Sequence, residues 1–141
     1  MNQTEKVRDF FDVVSEEYRD KYEKRQIFHN YFFYERLEQA TGGLDFKDKT
    51  ILDIGAGTGY YARRIAERVG PAGTVYAVDV QPEMLDLLRR EMTRHKVANV
   101  KPVLGTTSDP KLAPESIDLA VMVDVYHELE YPHEVLEAII R

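Results

Sequence analysis

Cysteine is absent from the 141 residues, which excludes disulfide scaffolds, thiolate metal sites and cysteine nucleophiles. No apolar run reaches the roughly 18 residues that a membrane-spanning helix needs. The first ten residues, MNQTEKVRDF, hold no apolar stretch of signal-peptide type. An excess of basic charge is also missing. Lys and Arg number 19 against 25 Asp and Glu, for a net charge of −6, which argues against a broad basic surface for nucleic acid. Repeats, low-complexity tracts and Ser/Gly-rich linkers are lacking too. What remains is room for one domain, with 43% apolar residues, enough for a packed core. The expectation is a soluble, cytoplasmic chain whose partners include neither nucleic acid nor membrane.

The hydrophobic period changes along the chain. Before residue 41 it is helical: Val7, Phe10, Phe11, Val14 and Tyr18 recur at three- and four-residue steps, and a second helix is expected over residues 28–40. Thr41-Gly42-Gly43 stops it. From Thr50 onward short apolar strands alternate with helices. Strands are expected over residues 50–54, 74–78, 100–104 and 117–123, and helices over 58–69, 82–95 and 133–141. Such alternation predicts an α/β fold, a parallel sheet flanked by helices. The fourth strand, IDLAVMV, is almost continuously apolar, the pattern of an interior strand covered on both sides.

The informative stretch is ILDIGAGTGYYA, residues 51–62. Gly55, Gly57 and Gly59 follow the first strand and open a helix, where glycine allows a tight turn and lets a ligand touch the backbone. Asp79 ends the second strand twenty residues after Gly59, at the position from which an acid reaches ribose hydroxyls. Two details disfavour a nicotinamide or flavin dinucleotide. The third glycine comes one residue early, with Tyr60 in the fingerprint position, and Asp53 precedes the turn. A carboxylate there would repel a pyrophosphate at the helix N-terminus. It suits a ligand carrying an ammonium and a sulfonium. No Gly-Lys-Ser/Thr follows, so a P-loop is excluded.

These segments resemble the class I S-adenosylmethionine-dependent methyltransferases. The likeness is carried by Asp53-Ile54-Gly55-Ala56-Gly57-Thr58-Gly59, by Val75-Tyr76-Ala77-Val78-Asp79, by the loop Gly105 to Leu112, and by Asp118 to Glu128. It implies a Rossmann-like domain over residues 44–141 that binds S-adenosyl-L-methionine, with residues 1–43 as an N-terminal helical cap. It also implies roles. Asp53, Gly55, Ala56 and Gly57 lie along the methionine part of the cofactor, Asp79 takes the ribose hydroxyls and Val80 packs on the adenine. Asp109, or else Ser108, meets the adenine amino group. Val123 and Asp124 approach the sulfonium, and Tyr18 reaches the cofactor carboxylate, although an amphipathic helix buries tyrosines for packing alone.

The resulting expectation is methyl transfer to a small-molecule acceptor, by in-line displacement at the methyl carbon. A module that binds the cofactor without catalysis is the first alternative, and a nicotinamide-dependent oxidoreductase the second. His127, beside Glu128, is the candidate general base, with helix-start packing or substrate lining as its plain reading. No metal is expected, because His127 and His133 lie six residues apart across a proline turn without a third ligand. Members of the resembled family have seven strands in the order 3-2-1-4-5-7-6, and four are seen here. The fourth would then be a sheet edge without protective charge or proline. The expectation is a piece of a longer protein, or a homo-oligomer paired along that edge.

Overall fold

The structure, a computed structural model, describes residues 44–123 and 125–141, and the account below concerns the unit Asp45–Arg141. The expected helices before residue 41, with Tyr18, and also Asp124 lie outside the described residues. In chain order the elements are β1 (Thr50–Ile54), α1 (Tyr60–Val69), β2 (Thr74–Asp79), α2 (Pro82–Arg94), β3 (Val100–Leu104), β4 (Leu119–Val121), a 3-10 turn (Tyr126–Glu128) and α3 (Pro132–Ile140). The four strands are parallel in the order β3-β2-β1-β4. No helix among the described residues is long and apolar enough to cross a membrane.

Periodicity explains the layers. Along α1 the buried apolar residues are Ala62, Ile65, Ala66 and Val69, and along α2 they are Met84, Leu85, Leu88 and Met92, each a stripe at helical spacing. On β1 successive side chains alternate. Leu52 and Ile54 join Val78 and Val135 of α3 in one cluster, so Ile51 and Asp53 point to the face that α1 and α2 cover. Asn99 ties α1 to the start of β3, its Nδ2 donating to Ala66 O at 3.0 Å and Gly70 O at 2.8 Å. Those carbonyls end a helix and need donors; each bond contributes about 1 kcal/mol.

Several boundaries differ from the sequence reading; α2 ends at Arg94, and α3 runs from Pro132 to Ile140. Helix α1 begins at Tyr60 rather than residue 58, because Gly59 takes a left-handed conformation at its N-cap. Strand β2 runs on through Asp79. Strand β4 shrinks from the expected seven residues to Leu119–Val121. It pairs only with β1, over Ile51↔Leu119 to Asp53↔Val121, and only Val121 is buried. Among the described residues β4 is the edge expected of a four-stranded sheet, held by one ladder with no strand on its other side. Asp118 anchors its start, with its N–H donating to Thr50 O and its Oδ2 accepting from Thr50 N, both at 2.8 Å.

The chain moves from β1 out to β3 and then returns to β4 on the opposite side of β1. That reversal makes a topological switch point at the carboxyl ends of β1 and β4, where doubly wound sheets bind ligands.

Candidate functional site

The glycine turn closes over the end of β2. Gly55 N and Ala56 N donate to Val78 O at 2.9 and 3.1 Å, and Gly57 N donates to Asp79 Oδ2 at 3.0 Å. Gly55 and Gly57 are glycine for different reasons. A Cβ on Gly55 would overlap the Val125 side chain, which brings the segment after β4 onto the turn. Gly57 sits at φ +55, and a Cβ there would meet nothing within 4 Å. The first glycine makes room for the protein, while the second faces open space.

Two carboxylates flank this space. Asp53 is 2% exposed, and its Oδ2 has no hydrogen-bond partner among the described residues. Burial first, and the Asp79 charge second, push its carboxyl up to about 7. Asp79 is half-buried. Its Oδ1 accepts from Gln81 N at 2.9 Å and its Oδ2 from Gly57 N. Burial raises its pKa, and the backbone donors of Gln81, Gly57 and Val80 oppose the rise. With about four acceptor directions in all, the carboxylate keeps capacity beyond these donors. Val80, next in the chain, is an apolar side chain left 47% exposed at the strand end.

The loop after β3 is organised by a residue that the sequence reading passed over. Thr106 Oγ1 accepts from Asp109 N at 3.0 Å, and Thr106 N donates to Asp109 O at 2.8 Å. A threonine three residues before an aspartate is a recognisable turn signal, so it could have been found. The Asp109 carboxylate is engaged elsewhere. Its Oδ1 accepts from Lys111 N at 2.8 Å, and its Oδ2 lies 3.9 Å from Lys111 Nζ and 3.8 Å from Arg141 Nη2. Ser108 is half-buried, its Oγ 3.5 Å from Thr106 Oγ1. Val123 follows β4 and is half-buried. His127 stands on the 3-10 turn with its side chain 71% exposed, Nε2 3.7 Å from Glu128 Oε1. Thus Asp53, the glycine turn, Asp79 and Val80 are brought together, Asp109 turns to Lys111 and Arg141, and His127 faces solvent. A separate cavity of about 110 Å³ lies between the β3–β4 loop and α3, lined by Leu52, Leu112, Ile117 and Ile139 among others; none of the expected cofactor contacts lines it.

Residues 51–141 match the family described as a methyltransferase domain. A protein-L-isoaspartate O-methyltransferase of Methanothrix thermoacetophila is 44% identical over 55 residues, 39% of this chain and 26% of that protein. An arsenite methyltransferase of Halobacterium salinarum is 34% identical over 73 residues, 52% of this chain and 19% of that protein. Among solved structures, a SAM-dependent methyltransferase from Aquifex aeolicus superposes with a TM-score of 0.70 at 31% identity, covering 76% of this chain and 56% of that one. The matches span about a quarter or less of these two curated relatives. With the family matched over most of the chain and the sheet, glycine turn and strand-end acid all in place, the chain belongs to the class I S-adenosylmethionine-dependent methyltransferases.

Proposed function

We propose that this chain binds S-adenosylmethionine across the Gly55–Gly59 turn and transfers its methyl group to a small-molecule acceptor. One observation carries the reading: an open glycine turn stands between Asp79, which has acceptor capacity left, and Asp53, which has a buried oxygen without a partner. Asp79 would hold the two ribose hydroxyls, and Val80 would present its exposed apolar surface to the adenine. Asp53 would supply the counter-charge for the amino-acid ammonium, with Gly55, Ala56 and Gly57 along the methionine part. Ser108 is the readier partner for the adenine amino group, since Asp109 would first have to leave Lys111 and Arg141. Val123, Asp124 and Tyr18 complete the proposed contacts, the last two outside the described residues.

When bound, S-adenosylmethionine supplies a methyl group activated by its sulfonium. The protein's part is to align the two reactants and keep water from the reacting carbon. Where the acceptor has a proton to lose, His127 would take it at Nε2, with Glu128 beside the ring. His127→Gln is then expected to slow turnover at unchanged cofactor affinity; equal turnover on an acceptor that is protonated at the assay pH would remove the base role. The small-molecule acceptor is supported by the net charge of −6, which disfavours nucleic acid, and by the arsenite-directed relative. The isoaspartate relative is named for a protein acceptor.

Titration calorimetry with S-adenosylhomocysteine, paired with a product assay over a panel of metabolites and isoaspartyl peptides, tests the reading. Asp79→Ala should weaken binding by about 1 to 3 kcal/mol through loss of charge-assisted bonds to two hydroxyls. Unchanged affinity would overturn the ribose assignment. Binding without any methylated product would favour the alternative of a cofactor-binding module.

A further inference from the structure

We propose that ligand capture at the glycine turn expels one proton from Asp53, so that cofactor uptake by this chain is proton-coupled. The inference rests on the reading above and adds to it a linkage that the fold itself builds. The starting point is geometric. Asp53 lies on β1 directly below the turn, is almost fully buried, and has an oxygen that meets no donor among the described residues. An ionised carboxylate in that position is costly, because burial strips its water and at Oδ2 no donor among the described residues replaces it.

Among the described residues no counter-ion offsets this cost. From β2 the facing charge is Asp79, a second carboxylate that opposes ionisation. Strand β4, Leu119–Val121, carries no titratable side chain, nor do the buried residues of α2, Met84, Leu85, Leu88 and Met92. The buried cation of α1 is Arg64, whose guanidinium stacks 3.6 Å over the Tyr60 ring and donates to Tyr60 O at 2.9 Å. After β4 come Asp124 in sequence, then the exposed His127 and Glu128 of the 3-10 turn. Without a ligand, Asp53 is therefore held with its proton through the mildly acidic range, its carboxyl pushed up to about 7.

An ammonium brought within a few ångström of the carboxylate reverses the balance, because an opposite charge at that distance favours the ionised form. The proton leaves Asp53 for the buffer, and the ammonium keeps its own. No bond is made or broken besides that O–H. Below about pH 7 the ligand then competes with the proton for one oxygen, and affinity falls up to tenfold for each unit of pH.

The test is titration calorimetry with S-adenosylhomocysteine in buffers of different ionisation heat, at about pH 6 and about pH 8, where Asp53 begins respectively protonated and ionised. The expected result is release of nearly one proton per ligand at the lower pH and almost none at the higher. 5′-Methylthioadenosine, the same nucleoside thioether without the amino acid, should bind without that release. Asp53→Asn should make the affinity for S-adenosylhomocysteine independent of pH over this range; the wild-type buffer comparison stands alone if that variant fails to fold. Binding of S-adenosylhomocysteine with no buffer-dependent heat at either pH overturns the proposal, as does equal proton release by methylthioadenosine. Absence of binding at both values would instead overturn the cofactor reading itself.

Discussion

Gly57→Val is expected to yield a folded chain that has lost cofactor affinity by about 100-fold or more, equivalent to about 3 kcal/mol. Folding should survive because a Cβ at this position meets no protein atom within 4 Å. The penalty to the chain is conformational. Gly57 sits at φ +55, in the left-handed region, where a side chain costs about 1 to 2 kcal/mol and a β-branched one sits worst. The larger loss falls on the ligand, because the isopropyl group would fill the space over the turn. Strain there would also disturb the bond from Gly57 N to Asp79 Oδ2, which helps aim that carboxylate. Circular dichroism and a thermal melt check the fold, and calorimetry with S-adenosylhomocysteine reads the binding. A folded variant with wild-type affinity would show that the turn is structural only. Gly55→Ala makes the contrast, since its Cβ overlaps Val125 and its damage should appear first in stability.

Asp53→Asn is expected to stabilise the ligand-free chain at neutral pH while weakening cofactor binding. The direction follows from linkage. The folded carboxyl is raised from 3.8 to about 7, so between those values the native state binds more protons than the unfolded chain. Stability contributed by this group is therefore fully present below about pH 4, falls as pH rises, and is lost above about pH 7. At roughly 1.4 kcal/mol per unit the span corresponds to about 4 kcal/mol as an upper bound. An asparagine never ionises, but its buried amide also lacks a partner, and that offsets part of the gain. A net stabilisation of about 1 to 3 kcal/mol at about pH 8, shrinking toward pH 4, is the expected pattern. Urea denaturation of both chains at the two pH values measures it. A gap between variant and wild type that does not change with pH would remove the buried carboxylate as a source of instability. A residue that destabilises the empty fold and serves the ligand is the usual signature of a binding site.

Much of this protein was legible before any coordinates, for local reasons. The bounds of β1 and β3 fall where the apolar runs fall, and the stripes of α1 and α2 follow from helical spacing. The turn Gly55–Gly59 and the acid at Asp79 could be read because glycine and strand-end carboxylates are constrained by backbone geometry at short range. The length of β4 could not be read that way. IDLAVMV reads as seven strand residues by composition, yet among the described residues the strand extends only where it meets β1, beside the Asp118 clasp on Thr50 from 68 residues away. Asp109 reads equally well as a ligand contact or a turn former, and its bonds to Lys111 and Arg141 turn it to the second role in the ligand-free chain. Nor does any local pattern say that Val125 seats on Gly55, or that Asp53 ends buried with an oxygen unmatched. The sequence by itself determined which residues could make a site, through pattern and turn chemistry. Which of them face the ligand, and which carboxylate is left without a partner, was decided by packing, because burial and hydrogen-bond supply come from segments far apart in the chain.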